Sequence, residues 1–170
     1  MKKTLYVTVK EETANASLPF NTQKKIYQIN ELDSPLLNLA QGSTYIFDQS
    51  HHSNLNHQIK FYREDEKESN YYSKSYGSPG YPGAYTSLHL EKDAPFSMKY
   101  DSSQSLGNNI ISSFSTKDEY FKIGQESSYI DACGGVDTAI IEGKYNDYIF
   151  EDLGDILNIK AKELTSKNYP

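Results

Sequence analysis

Three of the chain's four histidines fall between residues 51 and 57, inside the stretch TYIFDQSHHSNLNHQIKFY (44–62). Neutral imidazole is a ready ligand for zinc, copper and other transition metals. His51, His52 and His57 could therefore build a metal site, with Asp48 or Asp101 supplying an oxygen. Two features weigh against it. The single cysteine, Cys133, leaves no Cys-based zinc site, and the histidines follow no regular ligand spacing. The plainer reading makes His51 and His52 solvated loop residues and His57 a hydrogen-bonded residue near the domain edge. His89, in AYTSLHLE, reads as an exposed or half-buried strand residue.

Other chemistries find less support. A nucleophilic enzyme needs Ser or Cys beside a His with an orienting acid. No G-x-S-x-G is present, and Cys133 sits beside two glycines far in sequence from any His, as a small buried turn residue would. The 23 acidic residues guarantee chance carboxylate pairs, so they do not indicate a glycosidase. Neither a P-loop nor a G-x-G-x-x-G occurs. No enzymatic activity and no cofactor are expected. The more suggestive stretch is SNYYSKSYGSPGYPGAY (69–85), where Tyr71, Tyr72, Tyr76, Tyr81 and Tyr85 stand among Ser, Gly and Pro. Rigid amphipathic rings beside adaptable polar groups suit protein or glycan contacts. The same tyrosines could instead pack onto the domain that carries them.

Elements must position these residues. The chain has 170 residues, 36% hydrophobic, with 15 Tyr, 7 Phe and no Trp. Such a composition favours a thin, sheet-like core. TLYVTV (4–9), KKIYQI (24–29), HQIKFYRE (57–64), AYTSLHLE (84–91) and PFSMKYD (95–101) alternate as strands do, and LLNLAQGSTYIFDQ holds two short strands around Gln41-Gly42. In HQIKFYRE, Ile59 and Phe61 share one face and Gln58, Lys60 and Tyr62 the other. Residues 63–83 read as one long loop. Roughly seven short strands with frequent turns predict an all-β fold, an antiparallel β-sandwich over residues 1–110. Residues 111–128 read as a linker, and 129–170 as a small β meander built from VDTAIIE, DYIFED and DILNIKA, which needs a surface to pack on. The charge of -6 argues against nucleic acid as partner. No apolar run is long enough for a signal-peptide core or a membrane span, so work outside a cell would imply release by lysis or assembly into a particle.

The segment LNLAQGSTYIFDQSHHSNLNHQIKFY, continued by YGSPGYPGAYTSLHLEKDAPFSMKYD, resembles a cupredoxin-like module found in marine phage and marine bacterial proteins. The resemblance spans residues 25 to 109 and implies a Greek-key sandwich. Copper-binding relatives use two His, a Cys and a Met, a set suited to electron transfer. Carried over, the first ligand position falls on His57, the Cys position on Asp101, the second His on Gln104 and the Met on Gly107. The resemblance thus implies the fold with its copper ligands lost. YIDACGGVDTAIIEGKYNDYIFEDLGD is similar to a short β module that follows RTX-type repeats, but GGVD occurs once, so no calcium site is implied.

The expected role is a non-enzymatic structural, assembly or attachment protein, foremost a bacteriophage virion component such as a capsid decoration, neck, tail or fibre subunit. Its partners would be other virion proteins in an oligomeric assembly, with a glycan or host surface as a further target. No nucleic acid or membrane partner is expected. Affinity would come from the tyrosine loop and from strand addition at sheet edges, with symmetry supplying avidity. The alternative is an adhesion or glycan-binding module of a bacterial cell surface, and a copper electron carrier is third.

Overall fold

A computed structural model describes residues 2–12, 24–63, 73–102, 107–113, 120–123, 128–131, 136–152 and 157–162. The strands are β1 (Lys2–Glu12), β2 (Lys24–Ile29), β3 (Leu32–Asp33), β4 (Leu36–Ala40), β5 (Thr44–Asp48), β6 (Lys60–Arg63), β7 (Ser73–Tyr76) and β8 (Tyr85–His89). They continue as β9 (Ser97–Asp101), β10 (Asn108–Ser113), β11 (Tyr120–Ile123), β12 (Ser128–Ile130), β13 (Thr138–Ile141), β14 (Tyr148–Asp152) and β15 (Leu157–Ala161). Two single 3-10 turns, His52–Asn54 and Tyr145–Asp147, interrupt them. Among the described residues no helix is long and apolar enough to cross a membrane.

The fold is all-β, with two main sheets packed as a sandwich. One runs β3-β2-β1-β5-β8-β7 and the other β12-β4-β10-β9-β6. Alternation explains the burial. In β5, Tyr45 and Phe47 are buried while Thr44, Ile46 and Asp48 are half-exposed, and Ile59 and Phe61 point inward as their spacing requires. Phe47 meets Phe61 across the two sheets at 4.8 Å between ring centres, and Tyr27 faces Tyr100 at 6.4 Å.

A core rich in tyrosine must satisfy its hydroxyls. The Tyr100 hydroxyl donates to the Pro35 carbonyl (2.7 Å) and that of Tyr27 to the His57 carbonyl (2.9 Å). Tyr45 accepts from the Ala40 amide (2.8 Å) and donates to Asp131 (2.7 Å). Asp131, 3% exposed, also holds the Lys3 ammonium at 2.6 Å. These bonds tie turns and strands of both sheets into one interior.

Several sequence expectations need correction. The sheets are mixed, not purely antiparallel, because β1 pairs in parallel with β5, and β4 with both β10 and β12. The cause is the crossing at Gln41-Gly42-Ser43: β4 and β5 are consecutive but belong to different sheets, so each takes neighbours from distant parts of the chain. Gly42 makes this corner with φ +76°. The long loop at 63–83 contains β7, an edge strand too exposed to show apolar alternation.

Sheet membership also cuts across the anticipated units. Residues 111–128 include the end of β10, all of β11 and the first residue of β12, and β12 joins the sandwich beside β4. The three meander strands do not form one sheet among the described residues: β13 pairs in parallel with β11, while β14 and β15 form an antiparallel pair.

Candidate functional site

The histidine loop begins where β5 ends. β1 changes partner along its length, lying beside β5 at Lys2–Tyr6 and beside β2 at Val7–Glu12. Beyond Tyr6 the ladder of β1 with β5 stops, leaving backbone groups that a buried sheet must satisfy. The loop supplies the partners. The Asn54 amide donates to the Val7 carbonyl (2.7 Å), and the Val9 amide donates to the Ser53 hydroxyl (2.9 Å). Side chains of the loop thereby extend the sheet edge without a strand.

His51 holds this loop in shape. Its Nδ1 lies 2.8 Å from the Ser53 hydroxyl and accepts from the Ser53 amide (3.3 Å), and its ring lies 4.5 Å from that of His52. Both rings are exposed. His57 differs, being only 4% exposed. Its Nε2 lies 3.5 Å from the Lys25 ammonium, and its Nδ1 has no hydrogen-bond partner among the described residues. Burial, then the Lys25 charge, lowers its pKa below the ordinary histidine value. The ring is thus held neutral at physiological pH. His89 Nδ1 lies 3.0 Å from the Thr44 hydroxyl on the exposed side of β8.

Two of the other carried-over ligand positions, Asp101 and Gly107, are occupied by backbone duties. The Asp101 carboxylate accepts from the Ser102 amide (2.6 Å) and the Gly107 amide (3.2 Å). A Cβ at Gly107 would fall 1.8 Å from the Tyr100 carbonyl oxygen, so no side chain fits there without a backbone shift. Gln104 lies outside the described residues, as do Cys133, Tyr71 and Tyr72. Burial, with Asp101 nearby, pushes the Tyr62 and Tyr100 hydroxyls up, and burial does the same to Tyr27. All three stay protonated at neutral pH, and Tyr27 and Tyr100 donate the hydrogen bonds already given. Among the described residues no three His, Cys, Asp or Glu side chains converge as a metal-holding group.

Of the tyrosines singled out, Tyr76 and Tyr85 stack across the β7–β8 pair, with ring centres 4.6 Å apart and planes 21° from parallel. Tyr81 stands apart, 58% exposed, in the turn that links these strands. That turn is fixed against the histidine loop. The Gly80 amide donates to the Gln49 carbonyl (2.8 Å), and the Ala84 amide to that of Tyr81 (3.1 Å).

Gln49 organises the join, a role the sequence reading missed. Its side chain donates to the His57 carbonyl (2.8 Å) and accepts from Gln58 (2.8 Å) and Thr86 (3.2 Å). Nothing in its neighbours in the chain marks a glutamine as buried; only the alternation through Tyr45 and Phe47, continued to 49, pointed inward. Between the two loops lies a cleft of about 390 Å³ lined by Leu55, Asn56, Gln58, Ser78, Pro79 and Tyr81. Compared with protein-family models, curated proteins and solved structures, the chain matches none.

Proposed function

We propose that the protein is a non-enzymatic attachment or assembly component of a bacteriophage virion, on a Greek-key, cupredoxin-like sandwich that has exchanged its copper centre for hydrogen bonds. The observation that carries the non-redox reading is the set Asp101–Gly107. Where copper-binding relatives place a thiolate and a thioether, this chain has a carboxylate bonded to two backbone amides and a glycine with no room for a side chain. His57, the remaining ligand-type residue, faces a lysine ammonium, which disfavours a cation beside it.

The contact surface in this reading is the tyrosine turn, where Tyr76, Tyr81 and Tyr85 offer large rigid rings on a scaffold of paired strands. Copies arrayed on a particle would convert a weak contact into a firm one. The resemblance to modules of marine phage proteins supports the virion setting. Mass spectrometry of purified virions tests it: the chain is expected at stoichiometry with other structural proteins. Its absence from the particles would overturn the assignment.

A further inference from the structure

We infer that the cleft between residues 55–58 and 78–81 is a binding subsite for a neutral sugar. Its volume of about 390 Å³ lies at the lower end of the range for small-ligand sites, suited to one or two hexose rings. Among the described residues the lining is Leu55, Asn56, Gln58, Ser78, Pro79 and Tyr81, and none of these is charged. A phosphate, carboxylate or ammonium ligand would lose hydration there without gaining a counter-charge. A sugar without ionised groups would not.

The lining matches the two chemistries of a hexose, an apolar C–H face and a rim of hydroxyls. Tyr81 supplies the flat apolar partner. Unlike Tyr76 and Tyr85, which occupy each other's faces, Tyr81 has no ring partner among the described residues. Leu55 adds apolar surface beside it. The hydroxyl rim needs groups that both donate and accept. Asn56 carries a solvent-exposed amide that can do either. Gln58 is more constrained: its Nε2 is spent on Gln49 (2.8 Å) and Thr86 (2.6 Å), which leaves Oε1 as the atom to accept from a hydroxyl. The Ser78 hydroxyl completes the set. A proline-rich peptide, the other ligand that stacks on exposed tyrosines, seeks a row of rings. Here, among the described residues, a single free ring is framed by amides.

The cleft is also preformed. Gly80, at φ +90°, brings its turn so close to Leu55 that a Cβ would lie 2.9 Å from the Leu55 backbone. The bond from the Gly80 amide to Gln49 fixes the same approach. Binding therefore orders few groups, which favours even a small ligand.

This inference leans on the attachment reading for its biological role and on the cleft alone for its chemistry, so the two are tested apart. The purified protein, labelled with 15N, is titrated with glucose, galactose, mannose, N-acetylglucosamine, lactose and cellobiose, with sialic acid and a polyproline peptide alongside. Saturable shifts confined to residues 55–58 and 78–81 are expected with at least one neutral sugar. Tyr81→Ala should weaken that binding about tenfold or more. Asn56→Gly, which keeps the positive φ of 64° and removes the amide, should weaken it severalfold. Tyr6→Ala, an exposed tyrosine elsewhere, should leave it unchanged. Silence with every neutral sugar, preference for sialic acid or polyproline, or equal loss in Tyr6→Ala would each overturn the site. A negative titration leaves virion incorporation standing, and absence from virions leaves the sugar site standing.

Discussion

The sandwich and the two strand pairs outside its main sheets, β11–β13 and β14–β15, use the same alphabet with opposite results. In the sandwich, β5, β8 and β9 alternate buried and accessible residues, and the inward set (Tyr45, Phe47, Leu88, Met98, Tyr100) is fully enclosed. In β13 three of four residues are exposed, and Tyr120, Val136, Tyr145 and Leu157 are all more than half exposed. The later strands are held by short-range bonds: Tyr145 stacks on Phe150 at 4.6 Å, and the Tyr148 hydroxyl donates to the Glu142 carbonyl. Alternation specifies a strand; burial needs a second sheet. Two-stranded pairs lack one of their own.

The largest expected effect follows from that contrast. Phe47→Ala should cost about 3–5 kcal/mol, because it removes a ring enclosed on all sides and opposed by Phe61. Ile149→Ala, at a side chain 44% exposed, should cost under about 1 kcal/mol. Urea unfolding of the two variants reads the difference. Equal costs in one shared transition would erase the distinction between the regions.

Asp131 directly follows β12, the sandwich strand that lies in the chain between the paired strands β11 and β13. Its carboxylate bonds Lys3 and Tyr45, and its amide donates to the Asn38 carbonyl (2.8 Å). Asp131→Ala should cost about 2–3 kcal/mol, the range for charge-assisted bonds in a buried setting, tempered because Lys3 is partly exposed and can regain water. Asp131→Asn, which keeps an acceptor for Tyr45, should fall between Asp131→Ala and wild type. A loss as small as that of Ile149→Ala would place β12 with the loosely held strands.

Within the sandwich, the turn at Gly80 can be compared with Gly83. Both have positive φ, +90° and +80°, but a Cβ at Gly83 meets nothing within 4 Å, whereas one at Gly80 strikes Leu55. Gly83→Ala should cost about 1 kcal/mol from backbone strain alone. Gly80→Ala should cost about 1 kcal/mol more and broaden the amide signals of residues 55–58. Equal losses by thermal unfolding would mean the two loops are not locked together.

How much of this was legible follows from the range of each interaction. Strand existence was local: KKIYQI is β2 residue for residue, and the inward choice of Ile59 and Phe61 follows from spacing by two. Partnership was not. That β4 and β5 part company at Gly42, or that Lys3 meets Asp131, depends on contacts across as many as 128 positions in the chain. Likewise β7 was hidden because an exposed edge strand carries no apolar code, as Lys74 and Ser75 illustrate. In the candidate site, Tyr81 was visible as a ring in a Gly-Pro turn. Asn56 and Gln58 were not, since only the fold brings them opposite Ser78 and Pro79.

The smallest effect separates histidines within one loop. His57 is buried beside Lys25, while His51 and His52 are in solvent, and the fold resists protonation of the His57 ring. With the folded pKa below 6.5, the unfolded chain binds the proton more readily than the folded one. Stability due to the neutral ring is therefore complete above 6.5, falls as pH drops from there toward the folded pKa, and levels off beneath it. Urea midpoints measured from pH 7.5 down to 5.5, above the main carboxylate range, should decline for the wild type. They should decline less for His57→Gln, which fills similar space without titrating. Removing the neighbouring charge by Lys25→Met should shrink the decline only partly, since burial is the larger cause and remains. Identical profiles for wild type and His57→Gln would show that the buried ring does not resist protonation.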